Sequence, residues 1–186
     1  MNDGDVARAL RAAAAAAARS VASLGHVHAS RILFVYNPAL KVRARVFPLA
    51  FDATGTRLSR DGRTRRPLVK VRGKTMRYVV EYGPAFLRAP PPRRLRTLIH
   101  ELLHLSPFFN GTLSRAMRHS SADLSLFRAR VDAAARAIEA GEGRGRLLDF
   151  GAQPECLRWM RPFALNGGGT YTERDLVPVA VRLSPP

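Results

Sequence analysis

The octapeptide Leu98-Ile99-His100-Glu101-Leu102-Leu103-His104-Leu105 constrains this chain more than any other segment. Two histidines four positions apart leave the same face of a helix, one turn from each other. Leu98, Ile99, Leu102, Leu103 and Leu105 surround them, so a large part of the helix is expected to be buried. Buried imidazole and carboxylate groups are costly unless a partner satisfies them, and a metal ion removes that cost. The H-E-x-x-H spacing lets His100 and His104 reach one Zn2+, with Glu101 beside the metal's open position. A polar turn at a solvated helix end is the competing explanation, and it leaves the apolar flanks unexplained.

A catalytic zinc usually takes three protein ligands. His119, fifteen residues beyond His104, is the first candidate for the third. Pro107 is expected to end the helix, because it disfavours helical geometry at Ser106 and has no amide proton to donate. Asn110-Gly111 is a turn signal that supplies positive φ. The chain can therefore reverse and carry His119 back towards the metal. Asp123, Glu139 and Glu155 are carboxylate competitors for that position. His26 and His28 flank a helix-to-strand junction with no third partner nearby, and read as structural or exposed.

Along the chain, residues 5–24 predict an Ala-rich helix stopped near Gly25. Residues 31–36 form a nearly continuous apolar strand. Residues 41–51 alternate early, with Val42, Ala44 and Val46 on one face, and Pro48 assigns the end of this strand to a sheet edge. Thr54–Pro67 is a polar loop with a basic cluster, Arg63, Arg65 and Arg66. Strands at 68–72 and 76–82 flank a tight turn at Gly73-Lys74. The active helix spans about 92–106, and a second helical region, rich in Ala and Arg, runs over 114–140. Beyond a loop at Gly141–Gly145, the tail offers one strand candidate, Leu176–Leu183, interrupted by Pro178.

This order of elements, with Phe108-Phe109-Asn110-Gly111-Thr112-Leu113 leading to His119, resembles the small zincin-like metallopeptidases encoded in phage and prokaryotic genomes. More distantly it is similar to the SprT-like zinc proteases. The resemblance covers roughly residues 20–125, and its specific part is Leu98–His119. It implies His100, His104 and His119 as zinc ligands and Glu101 as general base. The fold expected is α+β and zincin-like: a small, mostly antiparallel sheet packed on the helix that carries His100 and His104. Residues 1–186 are read as a single domain with its core at about 20–140, and 143–186 as a C-terminal extension of unassigned role.

The activity expected is peptide-bond hydrolysis with Zn2+ as cofactor and a protein or peptide as substrate. Glu101 would take a proton from water and pass it to the leaving amine. An extended substrate could add as a strand to a sheet edge, for which residues 42–47 are the candidate. Tyr82, Arg118 and Tyr171 are candidates for stabilising the oxyanion, and nothing in the sequence selects among them.

Charge suggests a rival class. The chain has 31 basic against 14 acidic residues, a net +17, and all but Lys41, Lys70 and Lys74 of the basic ones are arginine. Such an excess favours anionic partners, so weak, non-specific association with nucleic acid is a second expectation. The alternative function is a basic, nucleic-acid-associated protein with a metal-binding but catalytically inactive zincin fold; the intact Glu101 weighs against it. Cys156 is the single cysteine, which excludes a disulfide within the chain and suits a reducing, cytoplasmic setting. No apolar run approaches the length of a membrane span, and no membrane association is expected. Ala12–Ala18 follows Asp3 and Asp5 and reads as helix, not as the core of a signal peptide.

Overall fold

Small side chains set the packing of the first helix. In α1 (Asp5–Ser20), Val6, Ala7, Leu10, Ala13, Ala14 and Ala17 recur at three- and four-residue spacing and are buried. Their size lets α1 lie close against the sheet and against two further helices. The computed structural model describes residues 5–57, 66–114, 124–141, 148–165 and 168–183. The helix stops four residues earlier than its composition suggests: Val21 is extended (φ −126°), and Ala22–Leu24 form a separate 3-10 turn.

The apolar runs become the centre of a five-stranded sheet. Both β1 (Ile32–Tyr36) and β5 (Tyr78–Tyr82) are buried at every position, as strands covered on both faces must be. They pair in parallel, from Ile32 with Tyr78 to Tyr36 with Tyr82. On the other side of β1 lies β6 (Glu155–Trp159), also parallel. The edges are β2 (Ala44–Pro48), antiparallel to β5, and β8 (Leu176–Ala180), antiparallel to β6, giving the order β2-β5-β1-β6-β8.

The sheet is therefore mixed, against the expectation of a mostly antiparallel one. The parallel strands are joined by long connections: residues 37–77 between β1 and β5, and α2 (Pro84–Leu87), α3 (Pro91–Leu103) and α4 (Leu124–Gly141) between β5 and β6. A connection of that length lets the two strands run the same way. The architecture overall is α+β.

Two other expectations shift. Residues 155–180 are no appendage: β6 sits between β1 and β8 and packs against α1, so the tail completes the core. The strand at 76–82 does not fold back on the one at 68–72. Instead β3 (Leu68–Val71) forms a short hairpin with β4 (Lys74–Thr75), and Arg72 and Gly73 turn it with φ of 51° and 73°. A two-residue turn with positive φ at both positions matches the right-handed twist of the strands. A second sheet, in the order β4-β3-β7, is completed by β7 (Thr170–Thr172).

Pro178 lies within β8, where an edge strand tolerates it, and Pro48 ends β2 at the opposite edge. At the start of α3, the buried Arg94 donates to the carbonyls of Leu87 (2.5 Å) and Leu148 (2.6 Å) and stacks over Phe150. These bonds tie the helix carrying the histidines to the segments before and after it. Among the described residues no helix is long and apolar enough to cross a membrane.

Candidate metal centre

Helix α3 presents two faces. Leu95, Leu98, Ile99, Leu102 and Leu103 are buried in the core. Arg93, Arg96, Thr97 and His100, with His104 at the helix C-cap, line a cleft of about 670 Å3. The helix ends at Leu103, before Pro107, in keeping with the rule that a proline excludes the preceding residue from helical geometry.

His100 and His104 converge as their spacing requires. Their Nε2 atoms are 3.2 Å apart and their ring centroids 4.9 Å apart. Two nitrogens bound to one zinc at about 2.0–2.1 Å in tetrahedral geometry stand about 3.3 Å apart, so the pair fits that ion. The same separation allows one imidazole to donate to the other when no ion is present. Phe127 of α4 packs on both rings, edge-on to His100 at 4.8 Å and nearly parallel to His104 at 5.5 Å.

Glu101 is only 6% exposed and faces the same cleft. Burial pushes its carboxyl up to about 7, against the pull of the Val46 backbone amide. A cation beside it would draw that value down again. Val46 belongs to the edge strand β2, and Val42–Val46 form the wall of the cleft opposite α3. The candidate edge at 42–47 thus lies beside the histidines.

The predicted reversal after the helix is present. Leu105 pairs with Leu113 in an antiparallel bridge, and the Ser114 amide donates to the His104 carbonyl at 2.8 Å. Gly111 has φ of 90°, and a Cβ there would meet Ala50 Cβ at 3.2 Å. The Tyr78 hydroxyl fastens the loop by accepting from Gly111 N and donating to Thr112 O. The chain is back beside His104 at residue 114, five residues before His119. His119 itself lies outside the described residues, as do Asp123 and Arg118. Among the described residues no three His, Cys, Asp or Glu side chains cluster as metal ligands, so Glu139 and Glu155 do not join the histidine pair.

Two oxyanion candidates are misplaced. Tyr82 is buried in the sheet beside Cys156, and Tyr171 bonds through its hydroxyl to Ala164 N. Neither lines the cleft. Of the basic cluster, Arg66 stacks over the Phe51 ring at 4.0 Å, while Arg63 and Arg65 lie outside the described residues. His28 is exposed and touches Phe109 edge-on, and His26 is half-buried.

The sequence reading missed the arginines of the cleft: Arg43, Arg45, Arg93, Arg96 and Arg128. A signal existed for two of them. Arg93 and Arg96 precede His100 by seven and four residues, spacings that share a helix face. No protein-family model, curated protein or solved structure matches this chain.

Proposed function

We propose that this chain is a zinc-dependent metallopeptidase with a zincin-like fold. The observation that carries the reading is the convergence of His100 and His104 Nε2 atoms at 3.2 Å, next to a buried Glu101, in a cleft bordered by a sheet edge. His100 and His104 would hold the metal together with His119 from the segment that leaves beside His104. Zinc, when bound, supplies Lewis-acid chemistry: it makes a water more acidic and polarises a carbonyl oxygen. Glu101 accepts the proton of the attacking water and returns it to the leaving amine. The outer edge of β2 pairs with the main chain of an extended protein or peptide substrate and holds the scissile bond against the histidines. The buried free thiol of Cys156 suits a cytoplasmic setting.

The test is hydrolysis of an unfolded protein such as casein by the zinc-loaded wild type and by Glu101→Gln. The variant keeps the shape of the side chain and removes the base. Activity should fall by about 10²–10⁴ while zinc content stays near that of wild type. Undiminished activity in Glu101→Gln would remove Glu101 from the mechanism. A zinc-loaded wild type that cleaves no unfolded protein would favour the inactive, nucleic-acid-associated alternative.

A further inference from the structure

Five arginines line the cleft, against two carboxylates, Glu101 and Asp132. Two of the five are committed. Arg45 bonds to Glu81 at 2.9 Å, and Arg96 to Asp132 at 2.6 Å. The guanidinium groups of Arg43, Arg93 and Arg128 have no acidic partner among the described residues. They come from three walls: the approach to β2, the first turn of α3 and the first turns of α4. Positive charge gathered in a concave space with low-dielectric walls concentrates anions there.

We propose that the cleft selects extended polypeptides carrying Asp or Glu near the bond presented to His100 and His104. The inference rests on the peptidase reading for cleavage, and on the cleft alone for the acidic ligand. Spacing makes it specific. Arg93 lies seven residues before His100, about 10 Å along the helix axis. An extended chain covers that distance in about three residues. Arg128 lines the same cleft from α4, one position after Phe127, the residue packed on both histidines. Acidic side chains within about three positions of the cleaved bond would meet these two guanidiniums.

An acidic peptide fits this surface better than a nucleic acid. The cleft offers the main-chain groups of an edge strand and the apolar side chains of Val42 (56% exposed), Leu113 (41% exposed) and Val131. No Phe, Tyr or Trp is among its described lining residues, so base stacking there would fall to imidazole and guanidinium groups alone.

The experiment is fluorescence anisotropy on the full-length, zinc-loaded Glu101→Gln protein. The probes are a fluorescein-labelled peptide of about ten residues alternating Glu and Ala, its Gln counterpart, and a single-stranded oligonucleotide of similar charge. The Glu peptide should bind about tenfold or more tighter than the Gln peptide at low salt, with the margin shrinking as salt rises. Added Arg93→Gln and Arg128→Gln substitutions, both at exposed positions, should remove most of the margin, leaving what Arg43 supplies, and leave thermal stability unchanged. Equal binding of the two peptides would overturn the proposal. So would a margin left undiminished by both substitutions, or tighter binding of the oligonucleotide. Cleavage by the wild type is scored separately. A Glu-peptide margin without cleavage of either peptide upholds the acidic ligand and defeats the peptidase reading. Equal cleavage of both peptides upholds the peptidase and defeats the acidic preference.

Discussion

Phe127 lies almost parallel to the imidazole of His104, with 5.5 Å between ring centroids and 26° between planes. The same ring meets His100 edge-on. A buried phenylalanine from α4 thus fills the flank of both histidines and restricts how either can turn. Phe127→Ala should lower stability by about 3–5 kcal/mol, the usual cost of emptying such a site. It should also weaken zinc binding, although no ligand atom is removed. Phe127→Leu restores apolar volume without the ring and should recover most of the stability. If it recovers full zinc affinity as well, the aromatic contact does not orient the imidazoles.

Metal content gives the direct check on the histidines. Purified protein should hold one zinc per chain, and chelation should lower its melting temperature, because an ion that binds only the folded state stabilises that state. His100→Ala and His119→Ala should each reduce occupancy strongly. Wild-type zinc content in His119→Ala would assign the third ligand to another residue, Asp123 first.

Glu81 is the buried penultimate residue of β5 and lies opposite Arg45 on β2. Its carboxylate accepts from Arg45 Nε at 3.1 Å and Nη2 at 2.9 Å, and from Asn37 Nδ2 at 2.9 Å. Arg45→Ala leaves a buried carboxylate with one of its two partner side chains. The expected loss is about 1–3 kcal/mol in chemical denaturation. Arg45→Lys should return only part of it, since an ammonium cannot reproduce the two-nitrogen contact.

Cys156 is fully buried, and burial pushes its thiol up to about 11 from an ordinary 9. Between those values the unfolded thiol ionises while the folded one keeps its proton. The folded state then binds more protons, so this group's contribution to stability is lost as pH rises through that window. At pH 8 the native thiol should resist Ellman's reagent and react stoichiometrically in denaturant. Rapid reaction in the native state would contradict this burial.

At the β3–β4 turn Arg72 holds a φ of 51°, which asparagine tolerates better than arginine. Arg72→Asn makes the turn Asn-Gly, the pair favoured for this geometry. Thermal unfolding should show a gain of about 0.5–1 kcal/mol. A loss would mean that the arginine side chain contributes more than the backbone preference costs.

Local signals suffice where local physics decides the element. The apolar run of β1, the periodicity of α3, the turn at Asn110-Gly111 and the edge assignment carried by Pro48 all depend on a few adjacent residues. The tail lacks such a signal. Glu155–Trp159 interleaves charged and apolar residues in a short stretch, and only pairing with β1 and β8 makes it an inner strand. Tyr82 illustrates the limit at the site. Its residue type suited an oxyanion donor, but its strand turns it into the core.

By itself the sequence determined the pair of histidines, the carboxylate between them and the helix that presents them, because a 3.6-residue period places i and i+4 on one face whatever surrounds them. Tertiary structure alone decided the rest of the cleft. It set β2 opposite α3, laid Phe127 across both imidazoles, and gathered Arg43, Arg93 and Arg128 from three separate elements. A cleft lined by residues as far apart in the chain as Arg43 and Arg128 depends on how the crossover from β5 to β6 packs its helices on the sheet, and no local period in the chain encodes that packing.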